Sequence, residues 1–166
     1  MTRKYPLQED YIRYKGVFDM KKLYRSLQQW FTNRGYRFME KTYKHKPPET
    51  EIDWSAKRLI DDYIMYGVDL KFHIWELEDV EVVKDGKKTV MQQGRMKITL
   101  SGHVVTDYSG RWEETPMKQW LQKVYDSVIY KRDIEFKHLD NLYYVLYGLH
   151  QYVKKLLEMD TAEGMY

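Results

Sequence analysis

Two alternating segments joined by an Asp-Gly turn constrain the fold of this chain most. Apolar and polar residues alternate from residue 63 to 75 and, less regularly, on to Val82. Asp85-Gly86 follows, a dipeptide that strongly favours a tight β-hairpin, and the alternation resumes from Met96 to Val104. Because alternation places the apolar side chains on one face of a strand, the two segments predict a long antiparallel hairpin whose apolar face needs a cover.

Three further segments, 11–18, 36–46 and 51–60, have the alternation typical of strands. Pro47-Pro48 lies between the last two, and proline cannot continue a strand's hydrogen-bond ladder. Asp61-Asp62 predicts a turn before the long hairpin. The middle of the chain is therefore expected to form an antiparallel sheet.

Helical segments flank these strands and supply the cover. Asp19 is a good N-cap for a first helix that Gly35 ends, and Thr115-Pro116 predicts the start of a second. The inner face of that second helix is expected to comprise Met117, Trp120, Leu121, Val124 and Val128. A last helix over 136–159 has a heptad-like apolar seam formed by Leu142, Leu146, Leu149, Val153 and Leu156. The seam packs either against the sheet, which we favour, or against a second copy through residues 139–157.

These elements predict an α+β protein. A curved antiparallel sheet of about five to seven strands packs against an early helix and two C-terminal helices. We expect residues 1–166 to form a single domain with a frayed tail at 160–166. The element order is similar to the helix-grip architecture of START-like proteins. It departs from that pattern by having one helix after the first strand and two helices at the end. The resemblance implies an enclosed apolar cavity.

The sequence lacks most signatures of catalysis and of cofactor binding. It contains no cysteine, so thiolate chemistry and disulfides are excluded. No P-loop, GxGxxG or GxSxG motif occurs, and we expect neither a catalytic residue nor a cofactor. No signal segment and no apolar run of the roughly 20 residues that span a bilayer occur, so we expect a cytoplasmic protein without a membrane span.

The histidines and carboxylates of the strands are candidates for a metal or acid–base site. His73 and His103 lie in the polar phase of neighbouring strands, where pairing could bring them near Asp53 or Asp69. Glu51, Asp53 and Asp69 could also face one another. Because basic residues occur on the same strands, we interpret this face as salt-bridged and expect no metal.

Charge is unevenly distributed along the chain. Residues 1–50 carry 12 basic and 5 acidic side chains, a net charge of +7, whereas residues 51–85 carry 4 and 10, a net charge of −6. This asymmetry indicates either an acidic or nucleic-acid partner or a basic strand paired with an acidic strand. The basic and aromatic residues expected to form a partner-binding surface are Arg37, Lys41, Tyr43, Lys44 and His45. Strand alternation would place Arg37, Lys41, Tyr43 and His45 on one face.

Two function hypotheses follow. The first is a non-catalytic binding domain for a small apolar ligand or a protein partner, suggested by an aromatic content of 16%. Its expected ligand-lining residues are Trp54, Phe72, Ile98, Trp120 and Leu146. The alternative is an RNA- or ribosome-associated protein that uses the stretch 34–46. We disfavour this alternative from sequence because the whole chain carries only +3.

Overall fold

The computed structural model describes residues 2–110, 114–125, 127, 132 and 134–159. Within them, six strands form one curved antiparallel sheet. The strands are β1 (Arg3–Pro6), β2 (Asp10–Phe18), β3 (Arg37–Lys46), β4 (Glu49–Leu59), β5 (Ile64–Lys84) and β6 (Lys87–Thr106). Strands β3 to β6 each pair with the next in sequence, and β1 and β2 both pair with the outer edge of β6.

The long β5–β6 hairpin is the centre of the sheet. Asp85 and Gly86 both have positive φ angles, of 51° and 75°, as a type I′ turn requires. The hairpin is interrupted once, between Trp75 and Glu78, where the pairing register shifts. The Asp-Gly turn and the two alternating segments that predicted this hairpin are confirmed.

The helices begin where their capping residues predict. The side chain of Asp19 accepts a hydrogen bond from the Lys22 backbone N–H at 3.0 Å and caps α1 (Met20–Asn33). Thr115 caps α2 (Pro116–Val124) in the same way. A π-helical turn (Ile134–His138) leads into α3 (Leu139–Leu156).

The core lies between one face of the sheet and the helices α1 and α3. Cross-strand pairing aligns Ile52, Phe72, Ile98 and Ile12 in one row across four strands, and all four side chains are buried. The ring of Tyr24 on α1 contacts Trp54 edge-on at 4.7 Å. This face, which we call the helix face, is therefore packed with aromatic and branched side chains.

The seam of α3 packs inside the subunit, as we favoured. Leu142, Leu146, Leu149 and Val153 are buried, and Leu156 is half-buried. A dimer through residues 139–157 stays a prediction, and it would have to use the outer side of α3. Tyr143, Tyr144 and Tyr147 are exposed on that side.

The predicted α+β class and curved antiparallel sheet are confirmed, whereas the helix-grip order stays a prediction. The expected inner face of α2 is wrong where the structure describes it. Met117, Trp120, Leu121 and Val124 are exposed, and the buried residue of α2 is Gln122, which donates to the Tyr63 hydroxyl at 3.3 Å. Val128 and the predicted frayed tail 160–166 lie outside the described residues.

Among the described residues, no helix is both long enough and apolar enough to cross a bilayer.

Candidate functional site

The sheet face opposite the helix face is exposed and strongly basic. We call it the open face and define it by the β5 residues 65, 67, 69, 71, 73 and 75 and by the residues paired beside them. Its basic side chains are Lys4, Arg13, Lys15, Arg37, Lys41, Lys44, Lys46, Lys57, Lys71, Arg95 and Lys97. Its carboxylates are Glu49, Glu51, Asp53, Asp69 and Glu76, the last of which pairs with Arg95. Eleven cations against five anions give this face a net charge of +6, while the whole chain carries +3.

Like charges are paired directly across strands on the open face. Lys57 lies opposite Arg37, Lys97 opposite Arg13, and Arg95 opposite Lys15. Like charges in directly opposite positions destabilise a sheet. These pairs therefore oppose folding, and an anion placed between their side chains would relieve the repulsion.

Aromatic rings lie among these cations. Tyr11 is 53% exposed, and Arg13 and Lys97 each lie 5.2 Å from its ring centroid. On β5, the His73 and Trp75 rings stack with their centroids 3.9 Å apart. Cations above an aromatic ring are attracted to its π-face. The open face therefore combines positive charge with flat rings.

A polar cluster lies near the middle of the open face. Ser55 is only 2% exposed and hydrogen-bonds Asp69, whose carboxylate also pairs with Lys41 at 3.2 Å. Burial disfavours the charge on Asp69, but the hydrogen bonds from Ser55 and Lys41 hold its pKa below the ordinary 3.8. Asp69 thus neutralises part of the local positive charge.

His103 belongs to the same cluster. Its ring lies over Gly67, and a β-carbon on Gly67 would be 2.3 Å from His103 Nε2. Burial, with the nearby charge of Lys4, lowers the pKa of His103 below 6.5, although Asp69 at 3.5 Å opposes the shift. At neutral pH His103 is therefore uncharged, and the glycine opposite provides the space for its ring.

The predicted partner-binding residues divide between the two faces. Arg37, Lys41 and Lys44 lie on the open face. Tyr43 and His45 lie on the helix face, opposite the buried Ile52 and Thr50, and His45 Nδ1 is 2.7 Å from Thr50 Oγ1. The prediction of one common face is wrong because a β-bulge between Glu40 and Thr42 inserts a residue and reverses the phase of β3.

The predicted ligand-lining residues lie in two environments. Trp54, Phe72, Ile98 and Leu146 are core residues, and the Trp54 and Phe72 rings are 4.5 Å apart. Trp120 is 63% exposed on α2. An apolar depression on the helix face is an open groove of 330 Å³ beside α1, lined in part by Tyr24, Tyr43 and Leu77.

The pairing register of β4, β5 and β6 places the two histidines that are candidate metal ligands apart from each other. His73 lies opposite Glu51 and Lys97, whereas His103 lies opposite Gly67. The ligand atoms of Glu49, Glu51 and His73 lie within 4.8 Å of one another, and His73 Nε2 contacts a Glu49 carboxylate oxygen at 3.0 Å. These side chains lie at the surface, where the contact fixes the His73 ring against Trp75.

Sequence reasoning missed the most basic part of the open face. Arg13, Lys15, Arg95, Lys97 and Trp75 are far apart in sequence, and strand pairing brings them together. Arg13, Lys15, Lys97 and Trp75 lie in segments that the sequence predicts as strands, and Arg95 directly precedes one of these segments. Which strands are neighbours, and in which register, was needed to assemble them.

The comparisons with known proteins give no relative. No protein-family model, curated protein or solved structure matches this chain. The chemistry of the open face is therefore the basis for the proposal that follows.

Proposed function

We propose that this protein is a non-catalytic nucleic-acid-binding module that holds a single strand against its open face. The observation that carries the proposal is the net charge of +6 on the sheet face that no described helix covers, in a chain that carries only +3. Positive charge of this kind attracts a phosphate backbone through counterion release, irrespective of base sequence. The directly opposite cation pairs supply the local positions for phosphates.

The rings on the open face favour a single strand over a duplex. Tyr11 and Trp75 lie on the same face as the cations. Bases stack on such rings only when they are not already stacked in a double helix, and antiparallel sheets with aromatic residues on an open face suit this mode of binding. The alternative function that the sequence suggested is thus supported by three of the predicted residues, Arg37, Lys41 and Lys44, together with open-face residues that the sequence did not predict.

Salt-dependent binding tests the proposal. The probe is a fluorescein-labelled 15-nucleotide uridine oligomer, and the readout is fluorescence anisotropy between 25 and 300 mM NaCl. For single strands the slope of log K against log salt is about −0.7 for each phosphate contact. We expect a steep negative slope, and we expect Arg37→Gln, Lys44→Gln and Lys71→Gln together to reduce it by about 2.

A matched variant controls for overall charge. Lys21→Gln, Lys22→Gln and Arg25→Gln on α1 also remove three charges, but from exposed positions outside the open face. We expect this control to bind like the wild type. Equal losses in both triple variants, or no binding by the wild-type protein at 25 mM NaCl, would overturn the proposal.

A second candidate function is the binding of a small apolar molecule in the groove beside α1. The observation in its favour is the apolar lining of the groove, which includes Met20, Ile52 and Leu77. A fluorescent apolar probe such as anilinonaphthalene sulfonate should then bind the native protein. Leu77→Trp should fill the groove and abolish this binding, while retained binding would refute the candidate.

A further inference from the structure

A depression on the open face combines a fixed aromatic side chain with four basic side chains. It has a volume of 590 Å³, within the size range of small-molecule sites. The side chains that line it are Arg13, Lys15, Trp75, Arg95 and Lys97. Tyr14 and Met96, which alternate with these residues along their strands, also line it. The depression therefore combines one indole with four basic side chains.

The indole of Trp75 is held in place by its neighbours. A β-bulge follows it, in which Glu76 has a φ of 56° and donates its backbone N–H to the Pro48 carbonyl at 2.8 Å. His73 stacks on the ring, and Glu49 in turn holds His73. A preorganised ring loses little conformational entropy when it binds a ligand.

The cations of the depression are unfavourably placed without an anion. Two of the directly opposite like-charge pairs, Arg13 with Lys97 and Lys15 with Arg95, both lie here. Arg95 is paired with Glu76 at 3.3 Å. Within the described part of the chain, Arg13, Lys15 and Lys97 form no ion pair with a carboxylate. The site is thus positively charged with three side chains free to meet an anion.

We propose that this depression binds one nucleotide of the strand, with its base against Trp75 and its phosphate between the Arg13–Lys97 and Lys15–Arg95 pairs. The inference rests on the proposed single-strand binding and names the position where a base is recognised. The geometry that supports it is that the Trp75 ring on β5 supplies a stacking surface, and the two cation pairs lie beside it on the neighbouring strands β6 and β2.

The test separates stacking from charge. Trp75→Leu removes the ring, and Trp120→Leu is its matched control because Trp120 is an exposed tryptophan on α2. Two probes are titrated by anisotropy or competition, the labelled uridine oligomer and inorganic polyphosphate, which has no bases. Circular dichroism melting confirms that each variant is folded.

We expect Trp75→Leu to weaken oligomer binding roughly tenfold and to leave polyphosphate binding unchanged, since stacking on one ring is worth about 1–3 kcal/mol. Trp120→Leu should change neither. If both leucine variants bind the oligomer like the wild type, the nucleotide site is overturned while salt-dependent binding survives. If the wild-type protein binds neither probe, the proposed function fails and the nucleotide site fails with it.

Discussion

Two buried tyrosine hydroxyls of the core differ in their partners. Tyr66 Oη lies 2.9 Å from His138 Nδ1. Among the described residues, the buried Tyr36 hydroxyl has no hydrogen-bond partner. Burial raises the pKa of Tyr36 to about 12, although the guanidinium of Arg58 opposes the shift. A buried polar atom without a hydrogen-bond partner lowers stability. The Tyr36 ring therefore stabilises the core, whereas its buried hydroxyl destabilises it.

Removing each hydroxyl should therefore have opposite effects. We expect Tyr36→Phe to leave the free energy of unfolding unchanged or raise it by up to about 1 kcal/mol. Tyr66→Phe should lower it by about 1 kcal/mol because it removes a hydrogen bond. Urea denaturation followed by circular dichroism measures both values. Equal destabilisation by the two variants would contradict this account of Tyr36.

His103 makes the stability of the protein sensitive to mild acid. Its pKa is lowered in the folded state by burial and by Lys4, Lys41 and Lys57, against the influence of Asp69. Below about pH 6.5 the unfolded chain binds a proton that the folded protein does not, so the free energy of unfolding falls as the pH falls through this range. Asp69, whose pKa is also lowered, adds a separate loss only below its ordinary 3.8.

The variant His103→Gln should flatten this pH dependence. We expect its free energy of unfolding to change less than that of the wild type between pH 7 and 5, measured by urea denaturation at each pH. His73→Gln is the matched control, because His73 lies on the same face but is more exposed. An unchanged slope in His103→Gln would contradict the assignment of the pH dependence to His103.

At the scale of elements, sequence patterns predicted the strands and helices but not the interruptions within them. The alternation of β5 predicted that strand, and the caps Asp19 and Thr115 predicted where α1 and α2 begin. Both could be predicted because side-chain periodicity and capping are local properties of the sequence. The bulge between Glu40 and Thr42 is set by pairing with β4 and has no local signal, so the faces of Tyr43 and His45 were mispredicted. The apolar face of α2 was predicted to be buried but is exposed. Periodicity identifies an apolar face without showing whether another element covers it.

The distance between α3 and the sheet depends on one glycine. A β-carbon on Gly102 would lie 2.8 Å from Leu146 Cδ1 and 3.3 Å from Leu142 Cδ2. We expect Gly102→Ala to destabilise the protein by about 1–3 kcal/mol through overpacking, and Leu146→Ala by about 2–5 kcal/mol through a cavity. The double variant should lose less than the sum of the two, because each change makes room for the other. Additive losses in thermal or urea denaturation would show that α3 does not press on Gly102.

At the scale of the whole molecule, the fold class could be predicted from the sequence but the position of the candidate site could not. The predicted surface is a contiguous stretch, 34–46, because the sequence shows which residues are adjacent along the chain but not which strands pair. The open face instead joins residues as distant as Lys4 and Arg95 through pairing with β6. The net charge of the chain was also a poor guide to the surface, because a total of +3 includes +6 on one face of the sheet.

The concentration of positive charge on the open face gives the protein an electrostatic orientation in solution. With +6 on the open face, the other described residues carry 15 basic and 15 acidic side chains and sum to zero. Because the positive charge of the described residues lies on one face, a polyanion turns that face toward itself before the two surfaces touch. Ionic strength should therefore act on the rate of encounter as well as on the lifetime of a complex.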